Sequence, residues 1–203
     1  FVESFNELTA GVAELRSYIA SEHPDLPVVL IGHSMGGLIA ARTVLDAATD
    51  YQTLILTGPL LGVPTQPPAW QTWLLRTLSA LFPAAKALEI DASAVSRDQT
   101  VVDDYVADTL VHHENIPART VVSLLDEASA VLGRASEISL PTLLLHGEED
   151  VLTSVPASRQ FMADLSATDK HITVYPGMYH ELFNEPEKED IIRTCLDWIA
   201  TRL

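Results

Sequence analysis

The stretch Val28-Val29-Leu30-Ile31-Gly32-His33-Ser34-Met35-Gly36-Gly37 decides the fold of this chain. Its first four residues are apolar, three of them β-branched, and they lack the alternation of a half-buried strand. Such a run reads as a strand covered on both faces, as in parallel sheets flanked by helices. Gly37–Ala48, which follows, is rich in alanine and reads as a helix able to pack closely on that sheet. Between them, Gly32-His33-Ser34-Met35-Gly36 is a G-x-S-x-G pentapeptide in a strand-to-helix context. A serine on so sharp a turn takes up a strained backbone conformation. The residues two positions away must then lack a Cβ, which predicts that Gly32 and Gly36 are both sterically required. The turn lifts the hydroxyl clear of the sheet. The new helix directs N–H groups and its positive end toward the same point, and Met35 N–H is the natural first oxyanion donor.

Working outward, Thr53–Thr57, Thr142–Leu145 and His171–Tyr175 read as three further strands. On the N-terminal side, Phe5, Leu8, Val12, Leu15 and Ile19 recur at threes and fours, which predicts an amphipathic helix over Phe1–Ala20. His23-Pro24-Asp25 and Pro27 end it. Ala118–Ala135 reads as another helix. A last one opens at Asn184-Glu185-Pro186-Glu187, with Asn as cap and Ile191, Ile192, Cys195 and Ile199 as buried stripe. Strands alternating with helices define an α/β class with a mostly parallel sheet. The alternation breaks at Gly62-Val63-Pro64. Residues 63–117 read as an inserted cap or lid, between core segments 1–62 and 118–203.

Charge narrows the functional classes. Among 203 residues, 12 Lys and Arg face 28 Asp and Glu, a net charge of −16. That excludes a binder of nucleic-acid phosphates, which needs a basic face, and opposes docking on anionic lipid by charge. The single cysteine, Cys195, excludes an internal disulfide. No apolar run approaches the roughly 18 residues of a membrane span. His112-His113-Glu114 lacks further ligands at metal-binding spacing and reads as a solvated surface, so no metal is expected.

A serine hydroxyl needs a base. In a parallel sheet, loops after later strands emerge at the same edge as Ser34. Thr142–Leu145 leads into His146-Gly147-Glu148-Glu149-Asp150, and His171–Tyr175 leads into Pro176-Gly177-Met178-Tyr179-His180. His180 is the expected base, and Asp150 the expected acid that orients it, ahead of Glu148 and Glu149. Asp150 lies past the strand end and is followed by an apolar anchor, Val151-Leu152. His146 and His33 read as structural residues, and His171 belongs to the opposite edge.

Gly32-His33-Ser34-Met35-Gly36-Gly37 resembles the nucleophile elbow of monoacylglycerol lipases, within the serine hydrolases of the α/β-hydrolase family. The order Ser34, Asp150, His180 is that family's order. The resemblance extends to Ser96-Arg97-Asp98 through Tyr105, Asp108 and Leu110-Val111-His112-His113, like the bacterial members' cap-to-core segment. It also takes in Pro141–Asp150 and Tyr175–Glu181. It implies an α/β-hydrolase fold with a helical cap over an apolar tunnel. The implied activity is hydrolysis of monoacylglycerols or similar fatty-acyl esters through an acyl-enzyme, without a cofactor. Trp70, Trp73 and Leu74 then belong to a lid that lines the tunnel or touches a lipid interface, and Tyr105 to the recognition of a polar head group. Val106 and Thr109 stand where the family usually has Asn and Pro.

The resemblance also implies a block of strands ahead of the first helix, with an H-G loop supplying a second oxyanion donor. Only Met35 is assignable here. The expectation is therefore an exposed edge at Val28–Ile31, completed by further sequence, by a second polypeptide or by a homodimer. The rival expectation is a catalytically silent fragment acting as an interaction module.

Overall fold

The computed structural model describes residues 2–203, so Phe1, the expected start of the first helix, lies outside the described residues. Among the described residues, seven α-helices accompany a four-stranded sheet: α1 (Phe5–Glu22), α2 (Met35–Ala47), α3 (Ala69–Leu81), α4 (Gln99–Ala107), α5 (Ala118–Gly133), α6 (Val155–Asp164) and α7 (Lys188–Ala200). The strands of the sheet are β1 (Val29–His33), β2 (Thr53–Thr57), β5 (Thr142–Gly147) and β6 (Lys170–Tyr175), in the order β1-β2-β5-β6 and all parallel. A separate antiparallel pair, β3 (Lys86–Leu88) and β4 (Ile116–Pro117), lies within residues 63–117. This is the expected α/β-hydrolase core.

The period-2 geometry of strands distributes the core over two faces. Leu54 and Leu56 of β2 and Leu144 of β5 join Leu38, Val44, Leu124 and Phe161 from α2, α5 and α6. Ile55, Leu143 and Leu145 point the other way, onto Ile191 and Cys195 of α7 and onto Met178 and Leu182. β2 is buried along its whole length, so removing one of its leucines should cost about 2–5 kcal/mol.

β1 departs from the expectation of a strand covered on both faces. Ile31 registers with Ile55 but stays 49% exposed, because β1 is the edge strand and α7 covers the sheet interior. In α1, Phe5 and Leu8 reach the core, but Leu15 is exposed, so the stripe is narrower than its spacing suggested. Ser4 caps this helix, its Oγ accepting from Asn6 N–H. The last helix starts at Lys188, not Asn184. Asn184 sits in a 3-10 turn and its amide donates to Glu181 at 2.6 Å instead of capping. Ile192 is exposed, outside the expected stripe. The β3–β4 pair, α4 and α6 were not anticipated; the signals for α6 were Ser154 as N-cap and Pro156 in the first turn.

Because all four strands run one way, their C-terminal ends share one rim. Register pairs His33 with Thr57 and Gly147 with Tyr175, so the loops after them gather there.

Candidate active site

The turn after β1 carries the only non-glycine residue with positive φ among the described residues: Ser34, at φ 53° and ψ −121°. Such a conformation costs about 1–3 kcal/mol and persists only where surroundings enforce it. Here Ser34 N–H donates to Thr57 O (3.0 Å), and Ser34 O accepts from Leu60 N–H (2.9 Å), pinning the turn to the neighbouring strand end. Space explains one flanking glycine but not the other. A Cβ on Gly32 would lie 2.4 Å from Gly36 O and 2.8 Å from Ala40 Cβ. One on Gly36 would meet nothing within 4 Å. The close approach falls instead at Gly37, 2.7 Å from Pro59 Cβ. The expectation that Gly36 is sterically required is therefore corrected.

The loops after β5 and β6 are joined backbone to backbone. Glu148 N–H donates to Tyr175 O (2.9 Å) and Glu149 N–H to Met178 O (3.0 Å). The chains come so close that a Cβ on Gly147 would lie 2.1 Å from Tyr179 O. This contact brings Asp150 and His180 together: His180 Nδ1–H donates to Asp150 Oδ2 at 2.7 Å, with both side chains buried. Glu148 and Glu149 point to solvent. Asp150 Oδ1 accepts from the backbone N–H of Leu152 (2.8 Å) and Thr153 (2.9 Å). Oδ2 also accepts from Thr153 Oγ1 (2.7 Å) and His146 Nε2 (3.1 Å). Burial opposes the carboxylate charge, but the hydrogen bonds from His146 and His180 outweigh it and hold Asp150 well below the usual range.

The His180 ring lies 4.7 Å, centroid to centroid, from that of His33, the residue before Ser34. Its bond to Asp150 uses Nδ1 and leaves Nε2 free to serve as a base. His33 bonds through Nδ1 to the Thr57 carbonyl and hydroxyl, both at 3.0 Å. Burial, and then the charge His180 can carry, push its pKa down to about 4, so His33 stays neutral near pH 7.

The histidine loop is also strapped to residues 95–97. Glu181 N–H donates to Val95 O (2.8 Å) and Ser96 Oγ to Asn184 O (3.1 Å). The buried Glu185 carboxylate accepts from Arg97 N–H (3.0 Å) and pairs with its guanidinium, which also reaches Glu187.

The other expected site residues stand on α3 and α4. Tyr105, on α4, is half-buried with its ring edge-on to His113 at 5.8 Å. Burial and the nearby Glu181 charge raise its phenol pKa. Trp70, Trp73 and Leu74 face solvent from α3, the tryptophans 64% and 67% exposed. α3 leans on α5, with Arg76 paired to Asp126. Between the two helices lies a cavity of about 290 Å3, lined by Leu61, Gly62, Leu75 and Leu132. Glu114 pairs with Lys86 at 3.0 Å, and His113 Nε2 bonds to Asp108 O at 3.2 Å. His171 sits toward the N-terminal end of β6, away from the rim. Sequence reasoning missed Thr153, which carries no motif signal, and the bond between His146 and Asp150.

An α/β sheet with a strained serine turn and a buried His–Asp pair at its C-terminal rim belongs to the α/β-hydrolase class. The chain is a member of the family described as serine aminopeptidase, S33, whose model matches residues 1–187. It is 36% identical to a monoacylglycerol lipase of Mycolicibacterium smegmatis, over its whole length and 70% of that protein. It is 29% identical to human monoglyceride lipase, over 99% of this chain and 67% of the relative. The crystal structure of Paleococcus ferrophilus monoacylglycerol lipase superposes with a TM-score of 0.88 at 26% identity, covering 98% of this chain and 76% of the other. The chain is an ester hydrolase of the esterase and lipase type.

Proposed function

We propose that the chain hydrolyses monoacylglycerols and similar fatty-acyl esters, with Ser34 as nucleophile, His180 as general base and Asp150 as the acid that orients it. The observation that carries this reading is the 2.7 Å bond from His180 Nδ1 to Asp150 Oδ2 beside the strained Ser34 turn. With Nδ1–H committed to Asp150, the free Nε2 takes the Ser34 proton as Oγ attacks the ester carbonyl. The tetrahedral oxyanion is met by Met35 N–H at the start of α2. His180 then protonates the departing alcohol oxygen, the carbon–oxygen bond breaks, and an acyl-Ser34 ester remains. Water, deprotonated by His180, attacks that ester. The fatty acid leaves and the serine proton is restored.

Residues 63–117 act in this reading as a cap. The exposed Trp70, Trp73 and Leu74 on α3 support an apolar partner, either the acyl chain or a lipid interface. Tyr105 serves the polar head of the substrate. The edge of β1, with Ile31 exposed, supports completion of the sheet by a further strand, from further sequence of the same protein, a second copy or a second polypeptide. Intact mass with static light scattering tests this, since a monodisperse monomer of these 203 residues with full activity contradicts it.

The central test is labelling by a fluorophosphonate probe. Wild type should react and Ser34→Ala should not. Turnover should rise from p-nitrophenyl acetate to longer acyl esters and extend to monoacylglycerols. A preference for acetate, or for aminoacyl anilides, contradicts the substrate assignment.

A further inference from the structure

His146 is fully buried at the end of β5, and both ring nitrogens are engaged. Nδ1 meets Ser158 Oγ on α6 at 2.9 Å. Nε2 meets Asp150 Oδ2 and Thr153 Oγ1, each at 3.1 Å. An ionised carboxylate only accepts, so Nε2 carries a proton and Nδ1 accepts from the Ser158 hydroxyl. Ser158, 12 residues along the chain, therefore fixes the tautomer of a histidine that points at the orienting acid. Oδ2 then receives three donors: His180 Nδ1–H, His146 Nε2–H and Thr153 Oγ–H. A carboxylate oxygen with more donors offers less electron density to each.

We infer that His146 is a positioning residue that sets how strongly Asp150 pulls on His180, because both rings donate to the same carboxylate oxygen. The inference rests on the reading of Ser34, His180 and Asp150 as the working triad. The titratable groups around His180 are Asp150, which accepts from its Nδ1, His33, whose ring lies 4.7 Å away, and its chain neighbour Glu181, whose carboxylate is held by Asn184. His146 reaches His180 only through Asp150. Removing its donor leaves Oδ2 a stronger acceptor for His180 Nδ1–H. That favours protonated His180, which is inactive as a base. The acid limb of the pH profile must then move up.

The experiment compares kcat/KM against pH for wild type, His146→Leu and His146→Gln on a soluble p-nitrophenyl ester. His146→Leu should raise the acid limb by about half a unit, which is about a threefold loss at the foot of that limb. His146→Gln restores an N–H donor to Oδ2 and should return the limb toward wild type. An acid limb unchanged in His146→Leu, with only kcat or melting temperature altered, overturns the inference. Histidine-ring 15N correlation spectra of wild type, assigned by comparison with His146→Gln, give a readout that needs neither turnover nor a folded leucine variant. They should show His146 protonated at Nε2, and a proton on Nδ1 alone overturns the inference. Failure of the triad reading itself appears separately, as Ser34→Ala retaining turnover.

Discussion

Exchanging the two glycines that flank the serine for alanine, one at a time, separates the sequence pattern from the geometry beneath it. By pattern, Gly32 and Gly36 are equivalent. In the structure a Cβ on Gly32 would overlap a backbone oxygen at 2.4 Å and Ala40 at 2.8 Å, so the turn or α2 must shift. Overpacking of this kind costs about 1–3 kcal/mol, of which a strand glycine recovers about 0.5–1 kcal/mol in backbone entropy. At about 2–4 °C per kcal/mol for a chain of this size, Gly32→Ala should melt several degrees lower. A displacement of the serine by about 1 Å should also slow fluorophosphonate labelling by about a hundredfold. Gly36 lies in the first turn of α2, has no positive φ and has open space where its Cβ would go. Alanine there should stabilise the helix by about 0.5–1 kcal/mol and raise the melting temperature by about 1–4 °C. Thermal unfolding by circular dichroism and timed labelling on both variants settle the matter. Equal destabilisation by the two substitutions, or a more harmful Gly36→Ala, refutes the reasoning.

Other consequences concern charge. His33 titrates near 4 in the folded chain and near 6.5 when unfolded, so the unfolded state binds the extra proton between those values. Stability should fall as pH drops through that window, by about 2–3 kcal/mol from this ring. Urea unfolding at pH 7 and pH 4 should show a smaller difference for His33→Asn, and an unchanged difference counts against the assignment. Glu185 is buried with Arg97 as its cationic partner, so Arg97→Met should leave a buried charge unpaired and cost about 3 kcal/mol by urea unfolding. Because Glu185 anchors the loop that carries His180, ester turnover should fall with it. A loss below about 1 kcal/mol means the pair is solvated.

Much of the fold was legible because local chemistry and tertiary structure agree. The runs at Val28–Ile31, Thr53–Thr57, Thr142–Leu145 and His171–Tyr175 correspond to strands in the structure, with ends that differ by at most two residues. Where local and global signals diverged, the reading failed. Ile31, in an unbroken apolar run, and Leu15, at helical spacing, both read as buried but sit where no neighbour covers them. Asn184 is a good cap by residue type, yet its side chain turns to Glu181. α6 was passed over although Ser154 and Pro156 announce it, because few of its residues make an apolar stripe. β3 and β4 are too short for periodicity and exist only by pairing with each other.

By itself, the sequence determined the class: an apolar strand, a glycine-flanked serine and a helix follow one another directly, and later apolar runs place the loops that end at Asp150 and His180. Which carboxylate faces His180 was decided in three dimensions. Glu148, Glu149 and Asp150 are consecutive, and the sequence favours Asp150 only by its place past the strand end and ahead of Val151-Leu152. It takes the backbone contact of Gly147 with Tyr179, and five donors converging on one buried side chain, to make Asp150 the partner. The role of His146 belongs to the same category. A buried histidine at a strand end is ordinary until the fold sets Ser158 on one side of its ring and Asp150 on the other.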